Sequence, residues 1–471
     1  MILAKRRDID MKSGPIFSRM LAFAVPLMLT NFLQTFYNAA DMIVVGLSPE
    51  GDAVGAIGTT SAFVSLILHL VIGIAVGANV LVARYIGAQD RERASRAVHT
   101  AAFVGLGIGV LGGAIGYLIA PTVMYAVGNR GRLLELSVLY ARVYFAAMPF
   151  HALSNFAMAI HRAKGDSQTP LRVLGCAGLL NVGLNLFFVL VCDMSVEGVA
   201  IATGTAAAVS AAVLFGNLMR DTGPCHFSFK MLKFTPVEAK KILWIGLPAG
   251  VQNSLFSISN IIIQSSIVQV NNMMCDPTVA YQPVVKGNAA AANIAAFGNT
   301  ALAAAGHAIV SFTSQNYGAK NYARVKRVAK NGFWLLSLVS IVATAVLMLL
   351  RDPLLSLYSV TDGADELSKL AYYAALTRVW YMWPFYILHG LMTCGSDVLR
   401  GLGKSMLSTV SSLIGSCVLR VIWIYTAFRA FPSLGMIYVS YPATWGLTAV
   451  VLFVFVFREF RRFPREETVS E

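Results

Sequence analysis

Charge is what this sequence has least of. Asp, Glu, Lys and Arg make up 13% of its 471 residues, where a soluble protein carries about a quarter. That excludes an ordinary soluble domain. Cysteine is sparse as well: Cys176, Cys192, Cys225, Cys275, Cys394 and Cys417 include no pair at metal-ligand or redox spacing, so they read as packing residues. The chain has no glycine-rich phosphate loop, metal motif or soluble catalytic segment, which argues against ATP-driven transport. It has no alternating apolar strands, which excludes a membrane barrel. The basic N-terminus leads into an apolar run too long for a signal-peptide core and without a small-residue cleavage site, so that run is expected to be a retained first span.

What is present is apolar: 57% of residues are hydrophobic and the mean hydropathy is +0.66. Continuous runs of about 18 or more such residues read as membrane-spanning helices, because lipid leaves backbone polar groups no other partner. The runs fall near 20–46, 53–83, 97–120, 136–161, 173–192, 198–219, 242–271, 287–315, 331–350, 372–397, 405–428 and 435–457. The fold class is therefore all-α and polytopic, with twelve helices. Of the 37 Lys and Arg residues, 28 lie in the two tails and alternate loops, six in the other loops, and three (Arg142, Arg378 and Arg420) within spans. The positive-inside rule then makes both termini cytoplasmic. It also explains the net charge of +14 without nucleic acid, for which no basic–aromatic module is present. The longest cytoplasmic loop, 220–241, mixes basic and aromatic residues in a way that suits the membrane surface. It divides the chain into an N-terminal lobe, 1–219, and a C-terminal lobe, 242–471.

The two lobes repeat each other. Pro26, Asn31 and Asn38 recur as Pro248, Asn253 and Asn260; Gly87, Ala88, Arg93 and Arg96 recur as Gly318, Ala319, Arg324 and Arg327. RVYFAAMPF (142–150) resembles RVWYMWPF (378–385), and Arg162 and Gly165 match Arg400 and Gly403. Both halves start on the same side, so the repeat is parallel. Duplicated bundles of this kind are typical of secondary transporters, with a substrate site between the halves at mid-membrane. Arg142 and Arg378 fall near external span ends, where they can snorkel.

Polar residues run in stripes. At about 100° per residue, Asn31, Gln34, Asn38 and Asp41 share one face of the first span. Asn253, Ser257, Asn260, Gln264 and Asn271 share a face of span seven; Asn293, Thr300, His307, Ser311 and Ser314 share one of span eight; Asn181 and Asn185 lie one turn apart in span five. Such residues either bond helices together or line a hydrated cavity, and four stripes in two repeated halves favour the cavity. Phe32, Phe36 and Tyr37 beside the first stripe offer it apolar and cation–π surface. Asp41 stands apart. An acid inside a span costs roughly 2.5 kcal/mol or more and persists by pairing, by meeting water or by taking a proton. The first half offers it no cation at comparable depth, and its repeat mate is Ile263. A charge present in one half looks like a coupling site. Asp397 lies three residues before Arg400 and reads as a local ion pair. His69 and His307 read as buried histidines.

These residues carry a resemblance. PLMLTNFLQTFYNAADMIVVG, GANVLVARYIGAQD, NVGLN and the RAKGD and RGLGKS turns, within twelve spans in two halves, resemble the bacterial multidrug and toxic compound extrusion (MATE) transporters. The resemblance implies two six-helix lobes around a central cavity and export of cationic amphipathic drugs in exchange for inward H⁺ or Na⁺. It needs no cofactor and implies a multi-pass protein of the bacterial inner membrane, expected as a monomer. It implies an ion site at Asp41, Asn38, Gln34, Asn181 and Asn185, with Na⁺ possible at Asp41 and Asn181, and a drug surface formed by Asn31, Phe36, Tyr37, Gln252, Asn253, Ser257, Asn260, Gln264, Asn293 and His307. The chain departs from many relatives in having Asn185 where they carry an acid in span five. It also has Gln252 and Asn253 in span seven, and no acid mid-way along span ten, where one branch builds a second-lobe cation site. That leaves Asp41 and favours H⁺. Two rival readings are a lipid-linked oligosaccharide flippase, disfavoured by the near absence of Lys and Arg mid-span, and an intramembrane aspartyl protease using Asp41 and Asp397, which would need the two carboxyls at one depth.

Overall fold

The computed structural model describes residues 8–48, 50–275, 282–363 and 365–464, without the side chains of Ser257 and Ile258. Among them the helices group into twelve rods. These are α1 (Ile16–Val45), α2 (Ala53–Gly87), α3 (Arg91–Val127), α4 (Gly131–Ala146 with Met148–Lys164), α5 (Gln168–Leu186 with the π-helical Phe187–Val191) and α6 (Val196–Met219). Then come α7 (Pro236–Met274), α8 (Pro283–Gly318), α9 (Tyr322–Leu349), α10 (Glu366–Met382 with Tyr386–Gly401), α11 (running from Ser405 to Phe428) and α12 (Leu434–Arg461). Among the described residues nine rods are long and apolar enough to cross a membrane, and α4 makes a tenth with a 47° bend. The other two, α7 and α10, are the more polar; Gln252, Asn253, Asn260, Gln264 and Asn271 all lie on α7.

The repeat seen in the sequence has structural reasons. Gln89 and Lys320 both take a left-handed backbone (φ 58). The next residue in each half, Asp90 or Asn321, caps the following rod by accepting from the amide of Arg93 or Arg324 at 2.9 Å. Such a cap satisfies an amide that the first helical turn leaves without a partner. Gly165 and Gly403 also have positive φ, 100° and 76°, which suits glycine at a helix C-terminus. Pro149 and Pro384 explain the RVYFAAMPF and RVWYMWPF blocks: proline lacks the N–H that a continuous helix needs. α4 breaks beside Pro149, and α10 passes through the 3₁₀ turn Trp383–Phe385.

Two compact units form: Met1–Gly14 with Leu21–Ser254, and Pro15–Met20 with Leu255–Glu471. The division falls inside α7. The first unit is tied by a close crossing of α2 and the first half of α7. Gly73 and Gly77 on α2 meet Gly246 and Gly250 on α7, and a Cβ at any of the four would strike the other rod's backbone. This small-residue spacing lets membrane helices pack backbone to backbone. The loop before α7 docks on α3: the Phe227 ring stacks on His99 at 5.2 Å, and the amides of Ser228 and Thr235 donate to His99 Nε2 (3.1 Å) and Thr100 Oγ1 (3.2 Å). Phe229, Met231 and Phe234 face outward from the same loop. The second unit is centred on Trp383, Tyr386, Tyr438, Phe312 and Phe428, all fully buried.

Candidate functional site

The site of the first unit forms where α1 presses onto α5. The Tyr37 ring lies on Gly178, leaving no space for a Cβ, and its hydroxyl donates to the Gly175 carbonyl at 3.1 Å. One turn further along α1, and one and two turns further along α5, this contact sets Asp41 against Asn181 and Asn185. Asn185 donates its amide to Asp41 Oδ1 at 2.5 Å and lies 3.4 Å from Asn181 Oδ1. From α6, Thr203 Oγ1 lies 3.3 Å from Asp41 Oδ2, and Asn181 donates to it at 3.2 Å. All three of Asp41, Asn181 and Asn185 are buried, at 8%, 4% and 0% exposure. The phenol rings of Tyr140 and Tyr144 on α4 lie buried within electrostatic range of the carboxylate.

The donor inventory of this cluster is unbalanced. A hydroxyl carries one proton, and Thr203 also lies 2.9 Å from the Val199 carbonyl, nearer than Asp41. Asn185 is therefore the firm donor to the carboxylate, with Thr203 and Asn181 as weaker partners. Asn185 Oδ1, meanwhile, is buried without a partner. Protonation of Asp41 adds a donor; a cation placed among Asp41, Asn181, Asn185 and Thr203 would use their oxygens. Either event matches an acceptor that now has no mate.

The remaining expected residues divide by place. Gln34 and Asn38 are exposed on α1, outside the hydrogen-bonded cluster; Phe36 is exposed and Asn31 half-buried. Tyr37 serves the α1–α5 contact. Gln252 is buried and Asn253 half-buried on the part of α7 within the first unit. In the second unit Asn260 and Asn293 are exposed and His307 half-buried, while the Ser257 side chain lies outside the described residues. Gln264 accepts from Asn288 at 3.2 Å, and Asn288 Oδ1 accepts from Arg378 (2.6 Å) and from the Tyr438 hydroxyl (3.0 Å). Arg378 thus belongs to a polar network and not to the snorkelling set expected for it. Arg400 lies 3.2 Å from Asp397 Oδ1, the local ion pair expected there. His69 is exposed on α2, not buried. Sequence reasoning missed Thr203, whose one signal is a hydroxyl in the Ala-rich run AIATGTAAAV. Among the described residues no three of His, Cys, Asp and Glu gather as a metal site.

The model of one family, MatE, matches the chain twice, over residues 26–187 and 248–426. The chain belongs to the MatE family. These are the MATE transporters that the sequence resembles, and they are not enzymes. The two matched stretches correspond to the two repeats. A curated relative, the probable multidrug resistance protein YoeA of Bacillus subtilis, is 26% identical over 452 residues, covering 94% of each chain. The multidrug export protein MepA of Staphylococcus aureus is 19% identical over 417 residues, covering 88% of each. Among solved structures, a MATE protein in complex with MaL6 superposes with a TM-score of 0.86 at 22% identity, over 98% of this chain and 99% of that one. An outward-facing multidrug resistance MATE transporter superposes with 0.85 at 20% identity over the same shares. At these identities the structures establish the MATE fold: all-α, with twelve helices.

Proposed function

We propose that this protein is a secondary active exporter that antiports cationic amphipathic drugs against inward H⁺ in the bacterial inner membrane, with both termini cytoplasmic. The observation that carries the reading is Asp41: a buried acid whose side-chain partners among the described residues are Asn185, Thr203 and Asn181, with no cation among them. Curated relatives named for multidrug resistance and export support the substrate class. The repeats 1–219 and 242–471, joined by 220–241, act as the lobes of an alternating-access cycle. In the outward-open state Asp41 takes a proton, its charge disappears, the bonds to Asn185 and Thr203 rearrange, and the drug cation leaves. After the lobes reset, Asp41 gives its proton to the cytoplasm and a new drug binds. Moving one charge inward is worth about 2.3 kcal/mol per 100 mV.

A Na⁺-coupled cycle at the same residues is the second reading. The side-chain oxygens of Asp41, Asn181, Asn185 and Thr203, gathered on three rods, favour it, since Na⁺ takes several oxygen ligands. Ethidium transport into proteoliposomes under an imposed pH gradient, and then under a Na⁺ gradient, separates the two. The pH gradient is expected to drive transport, and Asp41→Asn to reduce it to the level of protein-free vesicles. Transport driven by Na⁺ alone overturns the choice of ion. Wild-type rates in Asp41→Asn overturn the coupling role.

A further inference from the structure

The interior of the second unit carries two cations, Arg378 and Arg420, that no carboxylate among the described residues neutralises. Arg378 on α10 and Arg420 on α11 lie against one ring, their guanidinium carbons 5.8 and 4.0 Å from the centroid of Tyr441. Arg420 is 6% exposed. A guanidinium offers five N–H donors and keeps its charge. Arg420 places Nη2 3.1 Å from Thr444 Oγ1, and its buried Nε has no partner. Arg378 is held by Asn288, and its buried Nε also has no partner. Among the described residues neither arginine meets a carboxylate; Asp397 is already held by Arg400. His389, packed 4.9 Å from the Trp445 ring, adds a buried Nδ1 without a partner.

Such an arrangement is costly. A buried charge without a counter-charge is strongly destabilising, and the two arginines repel each other. The Tyr441 face returns part of that cost through cation–π attraction but leaves the N–H donors unmatched. The backbone is also unusual here. Arg420 stands between two π-helical stretches, Ile414–Val418 and Ile424–Phe428, and π-bulges concentrate at functional sites. In the register that pairs Gly165 with Gly403, and with the one residue that a π-bulge inserts, Arg420 stands where the first unit has Asn181. One repeat sets an amide there beside an acid; the other sets a cation.

We propose that Arg378 and Arg420 form an oxyanion site inside the second unit. It takes the carboxylate or phosphate group of a small amphipathic molecule, with Tyr438 and Tyr441 as its aromatic wall. A planar oxyanion matches the guanidinium fork with paired, charge-assisted hydrogen bonds, which is what the unmatched Nε groups lack. The half-buried Arg378 side is the open one. The site extends the ligand range beyond the cationic drugs of the coupled cycle and does not depend on Asp41.

The test is thermal unfolding of the purified full-length protein in sodium chloride, sodium phosphate and sodium benzoate at equal pH and ionic strength. Phosphate or benzoate is expected to raise the melting temperature above that in chloride, because a ligand of the folded state stabilises it by mass action. The gain disappears in Arg420→Met and shrinks in Arg420→Lys, which keeps the charge and loses the fork. Phosphate stabilises proteins in general by exclusion from their surface, so the deciding quantity is the difference between wild type and variant. A larger difference with benzoate identifies a carboxylate ligand; a larger one with phosphate identifies a phosphate group. No gain in either salt, or equal gains in wild type and Arg420→Met, overturns the proposal. Should Arg420→Met fail to fold, Arg378→Met serves the same comparison.

Discussion

Asn185 reaches from α5 to α1 and donates its side-chain amide to Asp41 Oδ1 at 2.5 Å. A hydrogen bond to a charged group contributes about 1.5–3 kcal/mol, and Thr203 is an ill-placed substitute because its proton is shared with Val199. Asn185→Leu is therefore expected to slow pH-driven export about tenfold or more, since 1.4 kcal/mol is a factor of ten. Asn185→Asp keeps a polar group in place and lets two carboxyls share one proton, so it retains proton-driven export. Initial rates in proteoliposomes at a fixed pH gradient check both. Equal rates for Asn185→Leu and wild type would remove Asn185 from the coupling site.

The parts of this site differ in how legible they are in sequence. Asp41 stands out because a lone acid in an apolar run has few reasons to be there, and Asn181 and Asn185 stand out by their one-turn spacing. Gln34 and Asn38 share a helical face with Asp41 but stay outside its cluster. Face-sharing fixes direction around a rod, while the cluster depends on which turn meets α5, and that is set by the Tyr37–Gly178 contact. Nothing in the local sequence marks Gly178 as the place where a ring lands. Arg420 was visible as a charge within a span, yet its environment comes from rods far apart in the chain. The repeat was most legible where its matched blocks hold turn glycines, capped helix starts and the helix-breaking Pro149 and Pro384, whose roles are local.

The crossing of α2 on α7 is expected to tolerate no added methyl. Gly73→Ala sets a Cβ against the Gly250 backbone, and backbone cannot move aside as a flexible side chain can. Overpacking of this kind costs about 1–3 kcal/mol. Gly216→Ala, on α6 where a Cβ meets nothing within 4 Å, is the matched control and should be neutral or stabilising by up to about 1 kcal/mol. Melting temperatures of the two variants in one detergent decide the matter. If both fall equally, the crossing is looser than the structure has it.

Asp166, in the turn after α4, gives stability a pH dependence. Burial by itself would push its carboxyl up, but the hydrogen bond and charge of His161 (3.1 Å) and the bonds from Thr169 outweigh burial and hold it well below the usual range. The folded protein therefore binds this proton less readily than the unfolded chain does. The resulting stability is fully present above the ordinary carboxylate value, about pH 4, and is lost as pH falls toward the lower folded value. Asp166→Asn should cost about 3 kcal/mol at pH 7, as for a broken buried pair, and the gap to wild type should narrow as pH drops below about 4. Melting curves at pH 7 and pH 3.5 test this. A gap unchanged between them would show that the pair with His161 is not what stabilises the turn.

Cys225 reports whether the loop before α7 stays docked. It is 1% exposed, and burial pushes its thiol up to about 12, with Lys164 pulling down and Asp221 and Asp8 pushing up. At pH 8 roughly one molecule in ten thousand then carries the reactive thiolate, against about one in four for a free cysteine. Maleimide should leave Cys225 unlabelled in the folded protein and modify it rapidly after unfolding in detergent, as mass spectrometry of the 220–241 peptide would show. His99→Ala removes the ring under Phe227 and the acceptor for the Ser228 amide, so it should free the loop and raise the labelling rate without unfolding α3. Fast labelling of the wild-type protein would mean that the loop leaves α3 in solution. Slow labelling in both proteins would mean that Phe227 and His99 are not what keeps it there.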